Sequence, residues 1–207
     1  MLQDINKELL IWLNSLLEYD FINSTVLFFC DAPIFFLPIF LISMWTYYSY
    51  RKNSNILTEL HLTKSLLEKE NLLYIFYSVV IWITISLIIQ QFVHIDRPEE
   101  ALKWVWSLLM NHIPDASFPS DHATVWISFL TSLFLAWFKK TWLIFAPIII
   151  LMVISRVILW VHWPLDIIAW SLVWIFSSFL TFNYLTKIVI INKLNQFIIK
   201  TLSYIKL

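Results

Sequence analysis

Glycine is absent from all 207 residues. Membrane helices often approach one another at glycine, so close contacts in this chain must be built from Ala, Ser and Thr. Cysteine is nearly absent as well. Cys30 stands alone, which excludes an intrachain disulfide framework and a cysteine-bound zinc site. Charge is scarce: 14% of residues are charged and the formal net charge is zero, so no basic field points to nucleic acid. The N-terminus has early acidic residues and no small-residue cleavage site after a short apolar core, which is not the pattern of a signal peptide.

Apolar residues fill the space that charge leaves. The chain is 60% hydrophobic with a mean hydropathy of +0.76, against roughly 45–50% apolar content in soluble domains. Its 12 Trp, 8 Tyr and 17 Phe suit aromatic belts at two membrane interfaces. The expected fold class is all-α: a polytopic membrane bundle of about five to six helices, with interfacial amphipathic helices at both ends. No linker, low-complexity segment or repeat divides residues 1–207, so one domain is expected.

Residues 2–19 place Leu2, Ile5, Leu9, Leu10, Leu13 and Leu16 on one stripe against Asp4, Lys7 and Glu8, the pattern of an interfacial helix. A first span is expected over 25–48, interrupted by Cys30-Asp31-Ala32-Pro33, then a polar segment over 51–70. Further spans are expected over 71–93, 120–138, 141–161 and 164–186, each long enough for a hydrocarbon core of ~30 Å. The polar connection from His94 to Pro119 carries a short helix near 99–111. Residues 189–207 set Lys193, Lys200 and Lys206 among Ile and Leu and read as a second interfacial helix.

Positive charge orients the bundle. Arg51, Lys52, Lys64, Lys69, Lys139, Lys140, Lys187, Lys193, Lys200 and Lys206 fall on one side, which becomes the cytoplasmic face. Lys7, Arg97, Lys103 and Arg156 fall on the other.

Three polar clusters meet on that outer face. The first runs from Gln90 through His94, Asp96 and Arg97 to Pro98. The second is Ser117-Phe118-Pro119-Ser120-Asp121-His122, and the third runs from Ser155-Arg156 through His162 and Pro164 to Asp166. Ionisable groups at a membrane edge are costly to keep and are functional candidates by default. Ser120 is placed to cap a helix whose free N–H groups and dipole attract anions. Pro164 suits the first turn of another. Arg97 and Arg156 can grip phosphoryl oxygens bidentately. Asp166 is close enough in sequence to accept the ring N–H of His162, and His122 and His162 remain for nucleophile and acid. Each residue alone has a bland reading: Arg97-Pro98 as an anchor, Ser120 as an ordinary cap, a histidine as a satisfied polar group. The combination on one face favours chemistry. His61 and His112 have no such company, Asp31 reads as a structural contact, and His94 and Asp96 are supporting residues at most.

Read together, Arg97-Pro98, Pro119-Ser120-x-His122 and Ser155-Arg156-x5-His162-x3-Asp166 resemble the three-part signature of the type-2 phosphatidic acid phosphatase superfamily. The strings Ser117 to His122 and Val161-His162-Trp163-Pro164-Leu165-Asp166 sharpen the likeness to its bacitracin-resistance branch, whose members are undecaprenyl-diphosphate phosphatases. The resemblance covers roughly residues 25–186, with the signature over 90–166. It implies that His162 attacks the terminal phosphorus, that Asp166 orients the ring, and that His122 protonates the leaving oxygen. Arg97, Arg156 and Ser120 would bind phosphate. It implies no metal or other cofactor, a prenyl-diphosphate lipid as substrate, and a bacterial plasma-membrane location with the site facing outward.

Three positions depart from the pattern. Gln90 stands where a lysine is usual, seven residues before Arg97; its amide is expected to bind phosphate without charge. Asp121 replaces a common glycine, as it does in the bacitracin-resistance branch, and Trp160 stands where a small residue, commonly glycine, precedes Val-His. Two rivals share the motif: a phosphatase of another lipid (phosphatidylglycerophosphate, phosphatidate, lipid A or a shorter prenyl diphosphate), and a catalytically inactive lipid-binding relative. A soluble peroxidase of the same superfamily fails on hydropathy.

Overall fold

The structure, a computed structural model, describes residues 2–31, 36–53, 59–93, 95–101 and 118–204. His94, Lys103, His112, Ser117, Lys206 and most of the short helix expected near 99–111 lie outside the described residues, as do the side chains of Asp31, Arg51, Lys52 and His61.

Every regular element among the described residues is helical. The order is α1 (Leu2–Ser15), a single 3-10 turn (Leu16–Glu18), α2 (Asp20–Asp31), α3 (Phe36–Asn53), α4 (Glu59–Gln90), α5 (Pro98–Ala101), α6 (Asp121–Leu135), α7 (Lys139–Ile158), α8 (Pro164–Leu185) and α9 (Val189–Tyr204). Three of the described helices are long and apolar enough to cross a membrane: α4 over Thr63–Gln90, α7 and α8. This is a polytopic all-α membrane bundle.

The structure redraws one expected boundary. The span expected over 25–48, interrupted at Cys30-Asp31-Ala32-Pro33, is represented by α2, which ends at Asp31, and α3, which begins at Phe36; residues 32–35 lie outside the described residues. Of the polar segment expected over 51–70, residues 51–53 end α3, 54–58 lie outside the described residues, and 59–70 form the first third of α4. That stretch is rich in Leu, Lys and Glu and has neither Gly nor Pro, so nothing in it stops a helix. At 1.5 Å per residue α4 reaches ~48 Å, well beyond the ~30 Å apolar layer.

The absence of glycine is answered on α6. Thr124, Ser128, Ser132 and Ala136 recur every fourth residue and are all buried, which lets this helix lie close to α4 on one side and α8 on the other, its two most extensive contacts. Small size is what the serines contribute, since Oγ of Ser128 and Ser132 makes no hydrogen bond among the described residues. The opposite stripe of α6 supplies Trp126, Phe129 and Leu133 to the core. Midway along α4, Tyr77 Oη donates to Asn195 Oδ1 at 2.9 Å and Tyr74 Oη to Asn192 Oδ1. These bonds dock α9 on the bundle through its buried Asn195 and Ile199.

α6 ends without glycine too. Trp137 adopts a left-handed φ of 62°, with its N–H on Phe134 O and the Phe138 N–H on Leu133 O, both at 3.1 Å. This is the five-to-two and six-to-one pattern of a Schellman cap, in which glycine is usual.

Candidate active site

α7 closes in the same way, and there the cap carries the chemistry. Trp160 has φ 64°; its N–H bonds Val157 O and the Val161 N–H bonds Arg156 O, both at 3.0 Å. The His162 N–H also reaches Arg156 O, at 3.3 Å. One carbonyl therefore fixes the spacing of the arginine and histidine that the sequence singles out. Both are enclosed, Arg156 at 4% and His162 at 2% exposure. The left-handed backbone explains why glycine suits position 160, and the indole is tolerated there because it is itself buried.

The arginine is aimed by a second element. Arg156 Nη1 donates to Cys30 O at 3.0 Å and lies 3.8 Å from Cys30 Sγ, so the end of α2 anchors one limb of the guanidinium. α1 braces the turn from both sides. Asn14 Nδ2 donates to Ile158 O at 2.8 Å, satisfying a carbonyl at the end of α7, and Asn6 Oδ1 accepts from Leu165 N–H at 3.0 Å, satisfying a donor at the start of α8. Trp163, the residue before α8, makes no side-chain cap of its own. Residues 2–19, expected to lie at the interface, thus pack on the turn that bears His162, with Leu10 fully buried.

The start of α6 is capped as expected: Ser120 Oγ accepts from Ala123 N–H at 3.4 Å, and Thr124 Oγ1 donates to Ser120 O at 2.8 Å. Ser120 is buried and His122 half-buried. The end of α4 reaches this cap directly. Gln90 Nε2 donates to Pro119 O at 2.9 Å and to Asp121 Oδ1 at 2.8 Å, and Ser86 Oγ donates to the same carboxylate oxygen at 3.1 Å. Past Gln90 the chain crosses to the third cluster, where Trp163 Nε1 donates to Asp96 O at 3.1 Å. Arg97, the next residue, is buried and its carbonyl opens α5. The segment 90–97 is thus hydrogen-bonded to the start of α6 and to the turn between α7 and α8. All three clusters share one end of the bundle.

Asp166, expected to orient the His162 ring, lies in the first turn of α8. Its Oδ2 is buried without a hydrogen-bond partner among the described residues. Gln90, expected to contact phosphate, turns its amide into the protein. Asn6, Asn14, Ser86 and the Cys30 carbonyl support the site without having signalled it in sequence. Each acts on a partner more than thirty residues away, and a backbone carbonyl has no residue-type signature.

A capped helix start with His122 in its first turn, and Arg97, Arg156 and His162 at the same end of the bundle, supply the residue types that can hold a phosphoryl group and exchange protons with it. The bundle and this end of it define the class, a membrane lipid phosphatase. The family model described as the PAP2 superfamily matches residues 71–190, more than half of the chain, and the protein belongs to that superfamily. It is 26% identical over 179 residues to the bacitracin transport permease protein BcrC of Bacillus licheniformis, an alignment covering 86% of this chain and 78% of that one. No solved structure matches it.

Proposed function

We propose that the protein removes the terminal phosphate of undecaprenyl diphosphate, releasing undecaprenyl phosphate and inorganic phosphate, as one domain of a bacterial plasma membrane with its site facing outward. The observation that carries this reading is the α7 cap, which joins a buried arginine and a buried histidine through one backbone carbonyl at the end of a helix long and apolar enough to cross a membrane. The position of the lysines and arginines supports the outward orientation.

In this reading a ring nitrogen of His162 attacks the terminal phosphorus as the bond to the bridging oxygen breaks, forming a phosphohistidine. His122 gives its proton to the leaving oxygen and then takes one from the water that hydrolyses the N–P bond. Asp166 steadies the charged ring once substrate draws the site together. Arg97, Arg156 and Ser120 neutralise the phosphoryl oxygens, the largest catalytic contribution expected in a water-poor site. A cavity of about 400 Å³ with an entirely apolar lining supports a lipid substrate. Its walls include Trp126, one turn along α6 from His122, and Met152, one turn along α7 from Arg156, with Phe28, Phe29 and Phe40 opposite. The bacitracin in the name of the similar Bacillus protein and the likeness of the motifs to the bacitracin-resistance branch favour the prenyl diphosphate over other lipids.

The test is phosphate release by purified protein in detergent with EDTA, on undecaprenyl diphosphate beside phosphatidate and phosphatidylglycerophosphate, with His162→Ala as control. Chelator-resistant release that is fastest on the prenyl diphosphate and lost in the variant supports the proposal. Release from another lipid alone would replace the substrate and keep the mechanism. No release from any lipid would leave the inactive lipid-binding relative.

A further inference from the structure

Gln90 has one amide nitrogen and two N–H groups. Both are committed inside the protein, to the Pro119 carbonyl and to Asp121 Oδ1. Both partners at these atoms are acceptors, so the NH₂ side of the amide must face them. What is left, Oε1, can only accept and is of no use to a phosphate oxygen. Asp121 is in turn the hub of a small network. Its Oδ1 receives Gln90 Nε2 and Ser86 Oγ, and the one hydroxyl proton of Thr124 is shared between the Ser120 carbonyl at 2.8 Å and Ser86 Oγ at 3.3 Å. The side chains lie on the last two turns of α4 or the first turn of α6, the carbonyls are those of Pro119 and Ser120 just before it, and Ser86 and Thr124 are fully buried.

We propose that Gln90 and Asp121 form a latch that ties the end of α4 to the start of α6, so that Gln90 is a positioning residue for Ser120 and His122 and does not touch substrate. Asp121 sits between those two residues in sequence. A shift of its carboxylate moves the helix start that carries both. The same latch sets where the chain leaves α4 toward Arg97. A negative charge beside an anionic site is tolerable because two donors neutralise its Oδ1 locally. The inference rests on the phosphatase reading for its kinetic consequences but not for the coupling itself.

The test is a double-variant cycle of Gln90→Leu and Asp121→Ala, with Asp121→Asn as the conservative variant, since an amide oxygen can still accept both hydrogen bonds. Turnover, KM, inhibition by inorganic phosphate and thermal midpoint are measured for each in detergent. The latch predicts that each loss variant lowers kcat roughly ten- to a hundredfold, the scale of a lost bond to a charged group. KM and phosphate inhibition should stay within about twofold. The double variant should be no worse than the poorer single one, and Asp121→Asn should keep most of the turnover. A Gln90→Leu enzyme with weakened phosphate inhibition, raised KM and intact kcat, adding fully to Asp121→Ala, would overturn the latch and restore Gln90 as a phosphate ligand. If the unaltered protein releases no phosphate, the phosphatase reading fails by itself. The thermal midpoints then decide: coupled losses support the latch and additive ones refute it.

Discussion

Trp137 and Trp160 share a backbone and almost nothing else. Each is the left-handed residue of a Schellman cap, with φ 62° and 64°, in a chain without glycine. Trp137 closes α6 at the end of the bundle away from the site, is 74% exposed, and has Lys139 Nζ 4.4 Å from its ring centroid. Trp160 closes α7, is 6% exposed and lies two residues before His162. A left-handed conformation costs an L-residue with a Cβ roughly 1–2 kcal/mol. That cost is carried at both ends, but only the buried indole has packing to set against it. The difference teaches that the strain at position 160 is held by the surrounding core, so the geometry of the site depends on a side chain that touches no reacting atom.

The largest effect expected from this comparison is at position 160. Trp160→Ala keeps the strained backbone and removes a buried ring, which costs about 3–5 kcal/mol, and should lower the thermal midpoint in detergent and most of the turnover. Trp160→Gly should recover about 1–2 kcal/mol of that loss, because glycine enters the left-handed region freely. A Trp160→Gly protein more stable than the parent would show that the indole contributes nothing, and would erase the distinction between the two caps.

The caps also mark what the sequence could and could not convey. α7 and α8 were legible to within a few residues, because long apolar runs bounded by Lys139-Lys140, by His162 and Pro164 between them and by Thr186-Lys187 have no other reading in a membrane chain. The Ser120 cap was legible because a short polar side chain before a helix has one local use. The continuity of α4 was harder, since a Leu-Lys-Glu stretch before a span fits two arrangements, a polar connection or an extension of the helix. Partners remote in sequence were invisible. Nothing near Gln90 announces the Pro119 carbonyl, and nothing near Asn6 or Asn14 announces the ends of α8 and α7. The residues 71–190 that match the family do not include α1 or α2, yet those helices aim Arg156 and brace its turn.

That brace provides an intermediate effect. At the site, Asn14 satisfies the last carbonyl of α7. Asn14→Leu should therefore cost about 1 kcal/mol of stability and reduce turnover several-fold, with substrate binding nearly unchanged. Unchanged kinetics with the full stability loss would mean that α1 supports the fold but not the position of His162.

The smallest effect is at the exposed cap, and its sign is opposite. Trp137→Gly releases the same 1–2 kcal/mol of backbone strain and gives up little packing, because the ring faces outward. What it does give up is the ammonium of Lys139 over the indole, worth about 0.5–1 kcal/mol at an exposed site. The net change should be a gain of roughly 0.5–1 kcal/mol, with turnover unaffected. Lys139→Ala should cost about 0.5 kcal/mol in the parent and nothing once Trp137 is glycine. A thermal midpoint that falls in Trp137→Gly would mean that the exposed indole is held by something stronger than Lys139, for which the aromatic belt at a membrane interface is the physical candidate. Repeating the measurement in lipid bilayers and in detergent separates the two, since an interfacial anchor contributes only where there is an interface.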